Sequence, residues 1–395
     1  MTTTYYFVEP LDVLMIRGNK SFGGAGQHGE AVMPPWPSLF AGAFRSALLG
    51  DDADKLSKFV SIGTDRQLPE EDRCAHMHDA LGDALFAVLG TPTTPGDFRI
   101  TWLSLALSKE GIQPVLPLPA DLAAFSDPGV PLVSLQPAQR PAGSAASDEL
   151  PLTAFLRVGK QVKSEGGRWL DGAGISAYLA GNLPTTKLET PVLFKRETRL
   201  GIALSSESRT AETGALYTTE AISFCNNAGF LVGITGDHGL LPKEGLLRLG
   251  GDGKGARYYR VENFKAPIAP ILQSGDRFRL ILTTPGIFSG GWLPERVSKQ
   301  ANGNYRLEGV GFSAQLVCAA VNRHEVISGW DLANWQPKTA QRVAPAGSVY
   351  WFDDLQGDPE KLTEWVNDGL WGNHIDPQRR AEGFNRAWLA TWPNN

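Results

Sequence analysis

Three stretches of this chain place cations beside glycines and rings. RGNKSFGGAGQHG carries Arg17, Lys20, Ser21 and Phe22 at the head of a glycine-rich run, GGDGKGARYY carries Lys254, Arg257 and Tyr258, and EGFNRAW carries Phe384 and Arg386. Single-stranded nucleic acid asks for this combination: charge for phosphates, backbone free enough to approach closely, and a ring on which a base stacks. Each of the three rings taken alone reads as core packing. Further cations cluster at Lys195/Arg196/Arg199, which adds Lys195 and Arg196 to the candidate contacts.

Catalytic constellations are thin by comparison. GAGQHG (Gly24 to Gly29) fits G-x-G-x-x-G, but a dinucleotide fold needs those glycines directly between a strand and a helix, and here RGNKSF precedes them and PPWP follows. Lys254 is followed by Gly and not by Ser or Thr, so GGDGKG is no phosphate loop of the NTPase kind, although its backbone N–H groups suit an anion nest. His76 and His78 stand two apart, on different faces of a helix, with no third metal ligand nearby. Asp353, Asp354 and Asp358 read as a polar connection before PEKLTEW. His28, in the first glycine loop, is a candidate acid or base for RNA cleavage, although a lone loop histidine is more often simply solvent-exposed. The sequence assembles no catalytic group, no metal site and no cofactor site.

Composition sets the outer limits. The chain has 395 residues, 20% of them charged, and a net charge of -5, which by itself speaks against a nucleic-acid binder; the uneven placement of the cations leaves two readings, a local basic groove on an acidic protein or scattered solvated charges. No apolar run reaches the roughly 18 residues of a membrane span, and MTTTYYFVEP lacks the features of a signal peptide, so no membrane partner is expected. Cys74, Cys225 and Cys318 are odd in number and far apart, as suits a reducing cytoplasmic setting.

The elements that must position these residues follow a pattern. Residues 4 to 16 read as a strand that meets Pro10, and MPPWPSLFAGAFRSALLG reads as a helix entered at Pro37 and stopped at Gly50. Phe40, Phe44 and Leu48 form its apolar face, leaving Arg45 off the stripe and free to reach a ligand or water. Residues 51 to about 190 look inserted, with an acidic helical stretch, a hairpin (FRITWLSLAL, then PVLPLP), proline-rich surface expected to be mobile in part, and a short helix in WLDGAGISAYLAG. Strands follow in LFKRETRLGIALS, GALYTTEAISF and GFLVGITG, a short helix in PKEGLLRL, and a glycine turn into another strand. The order then repeats from DRFRLILTTPGIF to GFNRAWLATW. Each half reads βα…ββ…αβ, so the expected fold is α+β: two ferredoxin-like, RRM-related halves with antiparallel sheets, 1–265 and 266–395.

Seven ordered blocks carry a resemblance that no single motif does: FVEPLDVLMIRGNKSF, PPWPSLFAGAFRSALL, ETRLGIALSSESRTAETGALYTTE, LRLGGDGKGARYYRVE, TTPGIFSGGWLPE, ISGWD and RVAPAGSVYWF. Together they closely resemble the subunit-three family of type III-B (Cmr) CRISPR effector complexes, within the RAMP superfamily. That resemblance implies a non-catalytic subunit in antiviral defence that holds the repeat-derived 5′ tag of the CRISPR RNA. It also implies contact with the large polymerase-like subunit and with the first RAMP backbone subunit. Carried onto this chain, it makes Arg17, Lys20, Ser21, Phe22, Arg45 and the loop around Lys254 and Arg257 tag contacts. Where the superfamily has a final glycine-rich loop, this chain has only EGFNRAW with Arg386. The alternative within the superfamily is an endoribonuclease that processes CRISPR RNA, with His28 as its acid or base.

Overall fold

The computed structural model describes residues 2–18, 28–50, 52–65, 67–125, 132–143, 149–156, 165–185, 187–205, 207–331, 336–373 and 375–392. In chain order the elements used below are β1 (Thr4–Pro10), α1 (Pro37–Leu49), α2 (Ala53–Thr64), α3 (Glu70–Leu81), α4 (Asp83–Leu89), β2 (Arg99–Leu107), β3 (Gln113–Pro117), α5 (Gly172–Leu179), β4 (Phe194–Leu204), β5 (Ala211–Phe224), β6 (Ala228–Thr235), β7 (Glu244–Arg248) and β8 (Gly255–Arg260). The second part of the chain adds β9 (Phe278–Leu282), β10 (Tyr305–Gly309), β11 (Phe312–Ala320), β12 (Val349–Gly357), α6 (Pro359–Asp368), α7 (Pro377–Glu382) and β13 (Ala387–Thr391).

Two antiparallel sheets form the frame of this mixed α/β protein. The first runs β3-β2-β6-β1-β8-β7 and is extended past β3 by two short strands, Arg168–Leu170 and Leu188–Glu189. The second runs β10-β11-β12-β9-β13 and is extended past β10 by Val297–Lys299. Strand β6, AGFLVGIT, is buried at every position, as a continuous apolar run covered on both faces must be. On one face α1 lays Phe40 and Phe44 against Tyr6, Tyr258 and Phe230. On the other, Trp102 of β2 meets Trp388 of β13 with ring centroids 4.7 Å apart, so the two sheets share a core.

A second junction is polar. Arg279 of β9 is 1% exposed and donates to Asp121 at 2.5 Å, to the Tyr178 carbonyl at 2.9 Å and to the Thr391 carbonyl at 3.1 Å. Tyr178 of α5 donates its hydroxyl to the same Asp121 at 2.6 Å. Burial pushes the Asp121 carboxyl up from its ordinary range, and the Arg279 guanidinium and the Tyr178 hydroxyl pull it back.

The structure corrects three expectations. The hairpin expected inside an insertion is not decoration: β2 pairs along its length with β6, from Ala228↔Leu107 to Thr235↔Arg99, and stands in the middle of the first sheet. PKEGLLRL is a strand and not a helix, its burial alternating as β7 pairs with β8 at the sheet edge. Arg45 is not free on the surface but enclosed, as described next.

Candidate nucleic-acid interface

The neck of the first glycine-rich stretch singled out in the sequence and the turn of the second meet at one place. The first leaves the strand through Met15–Gly18 and returns at Ala31, and its neck is tied by an Arg17↔Ala31 bridge and a Val32 N–H donated to the Ile16 carbonyl at 2.9 Å. The second, GGDGKG, docks on that neck: the Gly251 N–H donates to the Met15 carbonyl at 2.8 Å. Only glycine fits at position 250, where φ is +81° and an added Cβ would stand 2.7 Å from the Met15 oxygen. Lys254 then reaches back to Asp12 at 3.0 Å and holds that carboxyl below its ordinary range.

The long β4–β5 hairpin supports the same neck. Arg196 donates to the Ala31 carbonyl at 2.7 Å and to Glu220 at 2.9 Å, and Glu220 also accepts the Ala31 N–H at 3.0 Å. His28 and Gly29 pair in parallel with Thr218 and Thr219 on the hairpin. Lys195 is exposed near the hairpin's base, beside Arg196.

Next to the neck opens a cleft of about 960 Å³, lined by both parts of the chain. The face of α1 that looks into it mixes small residues, Ser38, Gly42 and Ser46, with Leu39, Leu49 and Arg45. Helix α2 contributes Leu56, Phe59 and Val60, and the far side comes from residues 328–330, 336–339 and 341 and from α7. Among the described residues four cationic side chains line the cleft, Arg17, Arg45, Lys338 and Arg379, against two carboxylates, Asp376 and Glu382.

The structure sorts the sequence candidates. Arg17 lines the cleft, and Lys254 and Arg196 brace the neck beside it. Arg45 lines the cleft while its guanidinium is enclosed: it lies 5.4 Å over the Phe98 ring and donates to Gln378 at 3.3 Å. Its Nε and Nη2 are buried without a hydrogen-bond partner, and burial lowers its pKa. Arg257 stands on the opposite face of the first sheet from α1, paired with Glu9 at 2.6 Å, and so is not brought to the cleft. Arg386 is 6% exposed and holds the Asn367 carbonyl at 2.8 Å; burial brings its pKa down to about 10. A guanidinium so enclosed offers no surface to RNA. Tyr258 and Phe384 are core. Lys20, Ser21 and Phe22 lie outside the described residues.

Among the described residues no group of three metal-ligating side chains occurs, and no helix is long and apolar enough to cross a membrane. Asp358 serves as the N-cap of α6, accepting from the Glu360 N–H. His78 pairs with Asp83 at 2.9 Å. The sequence reading did not find Trp330, Lys338, Gln378 and Arg379 as parts of a site. They lie far along the chain from the glycine loops and reach the cleft only through the fold.

Fold and site together define a two-sheet α/β protein with a cationic cleft shared by its two parts. The family described as CRISPR-associated protein (Cas_Cmr3) matches residues 6–392, and the chain belongs to it. No curated relative matches. Among solved structures, the chain is 14% identical to one in the type III-B Cmr-beta complex bound to cognate target RNA and AMPPnP, with 97% of this chain and 95% of that chain covered and a TM-score of 0.47. A chain of the same complex bound to cognate target RNA gives 13% identity, 97% and 96% coverage and a TM-score of 0.46. One from the apo state gives 11% identity, 66% and 98% coverage and a TM-score of 0.28.

Proposed function

We propose that this chain is a non-catalytic RNA-binding subunit of a type III-B CRISPR effector complex. Its cleft and the loops beside it hold the repeat-derived 5′ tag of the CRISPR RNA, and its other faces dock on the large polymerase-like subunit and the first RAMP backbone subunit. The observation that carries this reading is convergence: the neck of the first glycine loop, the Gly250–Gly251 turn and Arg45 line one cleft, although they come from three separate parts of the chain. Membership of the family described as CRISPR-associated supports it. We read the two sheets as ferredoxin-like halves. In each, four strands lie side by side in the order second, third, first, fourth (β2-β6-β1-β8 and β11-β12-β9-β13), the order of a split βαβ unit.

The test is a salt titration of the full-length protein against single-stranded repeat RNA. If Arg17 and Lys20 each neutralise a phosphate, the slope of log affinity against log salt shrinks by roughly 0.7 for each removed, about 1.4 in the folded double alanine variant. Arg386→Ala leaves the slope unchanged. The RNA stays whole in magnesium or manganese. Cleavage that disappears in His28→Ala would overturn the non-catalytic reading and install the endoribonuclease in its place.

A further inference from the structure

The first sheet ends at β7, and no described strand lies beyond it. The Leu249 N–H donates to the Lys254 carbonyl at 2.7 Å, and the Arg260 N–H donates to the Lys243 carbonyl at 2.6 Å. Counted along the antiparallel register from these two bonds, Gly245 and Leu247 turn their backbone groups toward β8. Glu244, Leu246 and Arg248 therefore turn theirs off the sheet, and among the described residues those N–H and C=O groups meet no hydrogen-bond partner. An open row of this kind is a template for another strand.

The side chains of the same residues decide which strand. Glu244, Leu246 and Arg248 stand on one face of the sheet, the face that carries Arg257. All are exposed, Leu246 to 70%. Neither Glu244 nor Arg248 enters an ion pair among the described residues. Sheet edges are commonly blunted by a proline, a bulge or a charge at the centre. Strand β7 has none of these and presents acid, leucine and base in that order.

That order is its own complement. When a second copy is turned about a two-fold axis through Leu246, the strands run antiparallel and Leu246 faces Leu246. Glu244 of each copy then faces Arg248 of the other, and each outward N–H meets an outward carbonyl. A parallel approach sets Glu244 against Glu244, and a slip of two residues sets a charge against Leu246. A strand of another protein would have to supply the reversed charge order, which this chain already carries.

We propose that β7 is a self-pairing edge: two copies of the chain join antiparallel through it, in a register centred on Leu246, so that their first sheets become one. The pairing is independent of the RNA-binding reading above. It runs along 5 residues, a small contact beside a standard protein interface, so the association is reversible and grows with concentration.

The experiment follows full-length protein by sedimentation velocity over a concentration series. The wild type forms a dimer whose share rises with concentration. Glu244→Arg alone sets cation against cation and Arg248→Glu alone sets carboxylate against carboxylate, and each weakens the dimer by roughly tenfold. An equimolar mixture of the two single variants recovers the association, and so does the double variant Glu244→Arg with Arg248→Glu. Leu246→Pro removes an outward N–H, leaves the ladder to β8 whole, and weakens the dimer by roughly tenfold as well. Melting curves check that each variant is folded. A wild type that stays monomeric up to its solubility limit overturns the pairing and leaves the edge to a strand of another protein. A dimer that both single charge variants form as readily as the wild type overturns it too, as does a mixture of the two that fails to re-form it.

Discussion

The two sheets place four strands in the same spatial order and differ in which connection is helical. In the first, α1 to α4 join the first strand to the second, and the third reaches the fourth through β7 and the Gly250 turn, with no α-helix among these described residues. In the second, the first and second strands are joined by loops and a hairpin, and α6 and α7 join the third to the fourth. The helices present are the ones that meet. Arg45 of α1 bonds Gln378 of α7, and both line the cleft. A layer that each half holds only in part is completed by the other, so the cleft belongs to neither alone.

If that sharing is real, the strongest way to break it is at the buried junction. Asp121 and Arg279 are 0% and 1% exposed. Asp121→Ala leaves a guanidinium buried without its counter-ion, and urea unfolding is expected to show a loss of about 3–5 kcal/mol. Asp121→Leu combined with Arg279→Met should recover most of it, because well-packed apolar replacements of buried pairs are often neutral. A single Asp121→Ala variant as stable as the wild type would mean the two parts hold together without this pair.

A smaller effect sharpens the contrast between the helices. Helix α6 is capped by Asp358, whereas α1 begins at Pro37 with no side-chain cap and relies on its buried face. Asp358→Ala should cost about 1 kcal/mol by thermal or urea unfolding. An unchanged stability would show that packing of Leu362, Trp365 and Val366 carries α6 as fully as Phe40 and Phe44 carry α1.

The smallest effect lies at the solvated neck. Lys254 lowers the pKa of Asp12 chiefly through its hydrogen bond, helped by the Val13 N–H. With the folded value below the unfolded one, this carboxylate's contribution is present above the unfolded carboxylate range and is lost as pH falls through the folded value. In Lys254→Ala the Asp12 titration, followed by NMR, should move up toward the ordinary carboxylate range, with little change in melting because the pair is exposed to screening. An unmoved titration would remove Lys254 from the neck.

Much of the frame was legible because local signals agreed with the fold. Pro37, the Phe40/Phe44 stripe and Gly50 bound α1 as the sequence reading has it, and GFLVGITG is the buried strand its apolar run implies. Strand β2 was legible as a strand but not as a central one, since nothing in FRITWLSLAL says that its partner lies more than a hundred residues ahead. Leu246 and Leu247 look helical in PKEGLLRL, yet pairing with β8 turns one out and the other in. Arg45 and Arg386 were misplaced because the sequence shows charge and not enclosure. Trp330 gave a signal, an indole between Gly329 and Asp331 in ISGWD, but its neighbours in the cleft are set by tertiary contacts alone.

The tied neck at Arg17 and Ala31 has a consequence for how freely this chain can be altered. Since the loop departs and returns at a bridge held by the Gly251 N–H and by Arg196, its length is decoupled from the frame that carries it. Closing a loop becomes harder only slowly with length, by about 0.6 kcal/mol for each doubling. Residues inserted between Gly18 and His28, ahead of the His28–Gly29 pairing with the hairpin, should therefore leave the melting temperature nearly intact. A change of length there would separate RNA binding, which the proposed contact at Lys20 carries, from folding, which the neck carries.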